Sequence, residues 1–146
     1  MPQVQVELSI AADADAVWQA VHAVEAYPRY MESVRSVEIV ADDGTSRTTA
    51  WSVLLKGSVL EWTEAERVDD KRRRIEFNQL DGDLDRFDGH WQVTSEPAGR
   101  TRVELDIAFE IGIPLLAQML DPVAVRAIRD NSVQMLRGLE RRAVTG

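Results

Sequence analysis

The stretch Arg102–Ile111, RVELDIAFEI, and the tail that follows it to Arg142, GIPLLAQMLDPVAVRAIRDNSVQMLRGLERR, decide the fold. In the first part Val103, Leu105, Ile107, Phe109 and Ile111 alternate with Arg102, Glu104, Asp106 and Glu110, with Ala108 the neutral exception. A side-chain period of two marks a strand that turns one face to a core. The tail changes period: Ala124, Val125, Ile128, Met135, Leu136 and Leu139 recur at helical spacing. Within it Asp121-Pro122 reads as an N-cap followed by proline at the first helical position. The pattern therefore predicts a short leading helix or a kink, then one long helix from about Pro122 to Arg142.

Upstream of Arg102 the alternating pattern repeats. Strand-like runs cover Val34–Val40, Thr48–Leu55, Val59–Val68, Arg73–Leu80 and Leu84–Thr94. They are separated by Asp42-Asp43-Gly44, Lys56-Gly57, Asp69-Asp70, Asp81-Gly82 and Pro97-Ala98-Gly99, the chemistry of tight hairpin turns. Neighbouring strands are thus expected to pair antiparallel. At the N-terminus Val4–Leu8 reads as a strand, and Asp13 or Asp15 can cap a helix carrying Val17, Trp18, Val21 and Val24 that Pro28 stops. The expected architecture is α+β: a curved seven-stranded antiparallel sheet, short helices after the first strand, and a long C-terminal helix, in one domain over residues 1–146. Seven strands at about 4.8 Å each make a sheet roughly 30 Å wide. One helix with its side chains covers about 10–12 Å of that. The sheet must curl around the helix, and space should remain between them.

Composition narrows the function. The chain has 17 Lys and Arg against 25 Asp and Glu, a net charge of −8, which works against binding nucleic acid or an anionic membrane surface. There is no cysteine, so disulfides, thiolate metal sites and thiol nucleophiles are excluded. No secretory leader pattern opens the sequence and no run approaches the ~20 apolar residues of a membrane span. A cytoplasmic protein without stable membrane insertion is the expectation.

The expected inward faces carry Trp51, Val53 and Leu55, then Ile75 and Phe77, then Phe87, Gly89, Trp91 and Val93. The plain reading is an aromatic core. Because the sheet outreaches its helix, Trp51, Phe77, Phe87, Trp91 and Phe109 are also candidate ligand contacts. The run Val59–Val68 leaves two registers open. One face carries Glu61, Thr63, Ala65 and Arg67; the other carries Leu60, Trp62, Glu64 and Glu66. Either choice sends a charge toward the interior, where it must be paired, hydrated or functional. Asn131 falls on the apolar stripe of the long helix and is a candidate polar contact in the cavity.

Other motifs fail. Asp81, Asp83 and Asp85 lack the glycine and the terminal glutamate of a calcium loop, with Arg86 and Gln92 in those places. His22 and His90 have no ligand spacing, and Lys71-Arg72-Arg73-Arg74 reads as a solvated turn. No metal or cofactor is expected.

Ala16-Val17-Trp18, Glu25-Ala26-Tyr27-Pro28, the run Val34–Val40, Trp91 and Asn131, taken in this order and spacing, resemble START-like helix-grip proteins. The closest branch is the polyketide cyclase/dehydrase and coenzyme Q-binding group, and the resemblance covers essentially the whole chain. It implies a sheet gripping the C-terminal helix around a hydrophobic cavity. It also implies that Arg67 matches a cavity arginine, and Asn131 a pocket asparagine, of the aromatase/cyclases. The chain departs from those enzymes at Ala65, Val34 and Ser33, where they carry serine, tyrosine and glutamate. On this resemblance Arg67 is favoured as inward and as the candidate catalytic residue. That register turns Trp62 outward, where a partner chain, a second copy for instance, or a helix would have to cover it. The opposite register buries Trp62 and makes Glu64 the polar anchor.

The leading expectation is a carrier of a hydrophobic small molecule (lipid, quinone or polyketide), since several polar groups of the cyclases are replaced. The alternatives are an aromatase/cyclase using Arg67, and a protein-interaction module related to ribosome-targeting toxins.

Overall fold

In the computed structural model the described residues are 2–55, 57–111 and 114–145, the side chains of 114–121 and 145 excepted. Seven strands form one sheet: β1 (Gln3–Ile10), β2 (Val34–Asp42), β3 (Ser46–Leu55), β4 (Ser58–Asp69), β5 (Arg74–Gly82), β6 (Arg86–Glu96) and β7 (Arg100–Glu110). Their order is β1-β7-β6-β5-β4-β3-β2, antiparallel throughout. Chain neighbours from β2 to β7 are sheet neighbours, as the hairpin chemistry between them predicts. Gly44, at φ +100°, turns β2 into β3 in a conformation L side chains rarely adopt. The first strand closes the far edge against β7.

Helix α1 (Ala14–His22) follows β1, and Asp13 rather than Asp15 caps it, its Oδ1 accepting from the Ala16 N–H at 2.8 Å. Asp15 instead meets Arg73 at 2.7 Å. The helix ends at His22, and Val24–Arg29 continues as a 3-10 turn that contains Pro28. The α-helical run therefore stops ahead of Val24 and not at Pro28, which lies inside the 3-10 turn. Helix α2 spans Pro114–Thr145 with Pro122 inside it, so the expected leading segment and main helix are one element. The expected cap at Asp121 lies outside the described side chains.

β7 is buried at every second residue from Thr101 to Phe109, with Val103 and Phe109 at 0% exposure. On α2 Ile128, Met135, Leu136 and Leu139 are buried, while Ala124 and Val125 are half-buried. The helix packs chiefly on β1 and α1 and approaches β4, β5 and β6 little. The unfilled width of the sheet lies on that side, as the widths of sheet and helix require.

Candidate functional site: a cavity between helix and sheet

The cavity lies between α2 and the inner faces of β3 to β7. Trp51 comes from β3, Trp62 and Glu64 from β4, Phe77 from β5, Phe87 and Trp91 from β6, and Asn131 from α2. Its enclosed space is about 60 Å³, room for a few waters, so a ligand of small-molecule size enters only as the lining side chains move apart. Half-buried Leu55 and Leu84 and exposed Glu61 and Asp83 line it at the β3–β4 and β5–β6 hairpins, which places the mouth there.

The aromatic wall is ordered. The Trp51 and Trp62 rings lie parallel, 5.7 Å between centroids at 3°. Phe87 is tilted against Trp62 at 5.1 Å, and Phe77 against Phe87 at 5.8 Å. Offset stacking of this kind adds to the burial of the rings themselves. Trp62 can sit there because Gly82 pairs with it across β4 and β5; a Cβ on residue 82 would collide with the Trp62 Cβ.

β4 answers the register question. Trp62 is half-buried facing the cavity, Glu64 and Glu66 are each 3% exposed, and Arg67 is exposed. The expectation that Arg67 points inward is therefore corrected, and with it the reason to want a partner chain over Trp62. Burying one large ring and two carboxyls that find partners outweighs burying a single guanidinium that would find none. Phe109 is likewise corrected: it is fully buried in the core and does not line the cavity.

The sequence reading missed what holds the two glutamates. Arg47 on β3 is paired in register with Glu66, and its Nε donates to Glu66 Oε1. Its Nη1 donates to the His22 carbonyl at 3.0 Å, and Thr49 donates to Glu66 Oε2 at 3.0 Å. The Trp51 indole N–H donates to Thr49 at 2.7 Å, and that of Trp62 to Glu64 at 2.7 Å. A continuous polar layer thus runs behind the aromatic wall. The Tyr27 hydroxyl, which donates to the Val21 carbonyl at 2.6 Å, closes it from the 3-10 turn.

Glu64 is the polar group of that layer that reaches the cavity. Burial pushes its pKa well above the usual carboxylate range. A hydrogen bond to Glu66 and the Glu66 charge push the same way, against the smaller pull of the Trp62 N–H and the Arg47 charge. The Tyr27 phenol is held high by burial as well. Glu64 thereby keeps its proton to higher pH than an ordinary carboxyl does. Across from it, Asn131 gives its amide N–H to the Met135 sulfur at 3.6 Å, and its Oδ1 is buried without a partner. Among the described residues no three His, Asp or Glu side chains cluster to hold a metal, and no helix is long and apolar enough to cross a membrane.

Similar proteins share this frame. The crystal structure of TTHA0849 from Thermus thermophilus is 30% identical, covers 99% of this chain and 98% of its own, and superposes with a TM-score of 0.92. The ZhuI aromatase/cyclase from Streptomyces sp. R1128 is 23% identical over 97% of this chain and 92% of its own, with a TM-score of 0.84. A START superfamily protein from Mycobacterium smegmatis is 17% identical over 99% of both chains, with a TM-score of 0.85. The last two resemblances are ones of fold. No functionally curated protein matches the sequence. The profile described as "Polyketide cyclase / dehydrase and lipid transport" matches residues 10–135, nearly the whole cavity-forming chain, and this protein belongs to that family.

Proposed function

We propose that the chain binds and carries a hydrophobic small molecule, of the lipid, quinone or polyketide kind, between α2 and the sheet. The observation that supports this reading most is the wall itself: stacked Trp51 and Trp62, with Phe77, Phe87 and Trp91, line a cavity that Ile128, Asn131 and Met135 of α2 bound on the other side. Such a wall binds flat or chain-like apolar molecules by removing their surface from water, at about 25 cal/mol per Å². Native mass spectrometry of freshly purified protein tests it. A retained adduct, or uptake from a panel of quinones, lipids and aromatic polyketides, is expected; an empty chain that takes up none of them would refute it.

One observation favours a second reading, an aromatase/cyclase activity. Glu64 stands at the cavity wall, and burial raises its pKa, which suits a general acid. In an aldol closure of an enol, Glu64 would protonate the ketone oxygen as the carbon–carbon bond forms, and the proton released by the enol would restore the acid. In the dehydration that follows, the hydroxyl would leave as water with the Glu64 proton, and the proton lost from the neighbouring carbon would replace it. Incubation with a poly-β-keto substrate decides: unchanged products in the presence of the protein leave the carrier alone.

A further inference from the structure

The charges around the cavity balance without a ligand. Three ionisable side chains are buried behind the aromatic wall: Arg47 at 4% exposure, and Glu64 and Glu66 at 3% each. The guanidinium gives its Nε to Glu66 and its Nη1 to the His22 carbonyl, leaves Nη2 buried without a partner, and forms no part of the cavity wall. Among the described lining residues there is no Lys, Arg or His, while Glu61 and Asp83 stand at the mouth and Glu64 stands inside. Arg47 and Glu66 neutralise each other. An anionic group carried in by a ligand would lie beside Glu64 in a desolvated space with no opposite charge, which is costly.

The same wall offers two polar points to an uncharged molecule. Glu64 accepts from the Trp62 N–H at one oxygen and retains lone pairs toward the cavity. Asn131, on the helix side, has a buried Oδ1 with no partner. We propose that the cavity selects its ligand by charge: it takes a flat, uncharged molecule that hydrogen-bonds Glu64 and Asn131, and it refuses the same molecule carrying a carboxylate or phosphate. This rests on the binding function proposed above and narrows it. Free fatty acids and lipids that would bury an anionic head are excluded, whereas hydroxylated or carbonyl-bearing ring systems are admitted.

A matched series on one ring tests the proposal by quenching of tryptophan fluorescence: naphthalene methanol, naphthoate and naphthylmethylammonium. At pH 7 the alcohol should bind, and naphthoate should bind at least about tenfold more weakly, a modest effect for a charge left unpaired in a desolvated site. The groups that face Glu64 are Glu66 on its own strand, Arg47 on β3, Tyr27 on the 3-10 turn and Gln79 opposite it on β5. Of these Glu64 is the one that lines the cavity, so a negative charge gained there with rising pH is felt by the ligand. The penalty on naphthoate, read as the ratio of its Kd to that of the alcohol in the same protein, should therefore grow with pH in the native chain and stay flat in Glu64→Gln. Naphthoate binding as tightly as the alcohol, or more tightly than the ammonium, would overturn the proposal, as would an unchanged pH profile in Glu64→Gln. If the alcohol binds while the discrimination fails, only the charge selection falls; if no member of the series binds, the binding function falls with it.

Discussion

β7 and β4 cross the same sheet, alternate with the same period and use their inner faces differently. The inner face of β7 beyond Thr101 is Val103, Leu105, Ile107 and Phe109, all apolar and buried in the core, with Leu105 and Ile107 also bounding the cavity. That of β4 is Trp62, Glu64, Glu66 and Val68, with two carboxyls at 3% exposure. The difference follows from what lies opposite. β7 neighbours β1, on which α2 packs, so its side chains meet other side chains. β4 faces the part of the sheet that the helix leaves uncovered, and beside it β3 brings Arg47 into register with Glu66. A strand can carry charge inward where a neighbouring strand neutralises it and a cavity removes the need for close packing.

The largest expected effect is that of cutting the pair which makes the inner face of β4 tolerable. Arg47→Met should destabilise the chain by about 3–5 kcal/mol, because Glu66 is left buried without its partner. Phe109→Ala in β7 should cost a similar ~3–5 kcal/mol for a different reason, the cavity it opens. The double variant Arg47→Met/Glu66→Gln separates the two cases: it should recover most of the loss, while no second substitution of comparable size restores the Phe109 void. Urea denaturation of the variants measures this, and a double variant no more stable than Arg47→Met would mean that the pair does not hold β4.

A smaller effect, and one that β7 cannot show, is a dependence of stability on pH. The folded pKa of Glu64 is raised above its ordinary 4.5, so over that interval the folded chain holds a proton that the unfolded chain has lost. The stabilisation is complete below about 4.5 and is lost as pH rises through the folded value. Glu64→Gln has no such proton, so stability relative to the native chain should climb with pH from that point upward. Thermal melts of both proteins at stepped pH measure the divergence; parallel curves would show that Glu64 ionises without cost.

The smallest effect belongs to Arg67. Exposed on the outer face of β4, it should tolerate Met within about 0.5 kcal/mol, and ligand affinity should not change. A Kd weakened by Arg67→Met, read by the same fluorescence titration, would reopen the other register.

Much of this was legible in the residues. The period of two in Val103–Ile111, the helical stripe to Leu139 and the turn residues between runs specify strands, helix and antiparallel order, because they depend only on backbone geometry and local sterics. The cavity was legible from the widths of sheet and helix. Five of its walls, Trp51, Phe77, Phe87, Trp91 and Asn131, followed from the faces they share. What settles β4 is its register with β3: Leu55 pairs with Ser58, which sets Trp51 opposite Trp62 and Arg47 opposite Glu66, and partners across a pair of strands point to the same side. With Trp51 inward, Glu64 and Glu66 had to follow.

What the sequence by itself determined is therefore the set of elements, their order and the need for an interior space. What only the tertiary structure decided is which face of β4 sees that space, that Arg47 stands behind Glu66, and that Phe109 belongs to the core and not to the cavity. Alternation divides a strand into two faces but carries no sign. The sign comes from a turn one residue longer or shorter and from the neutralising charge on the next strand, and those are properties of the assembled sheet.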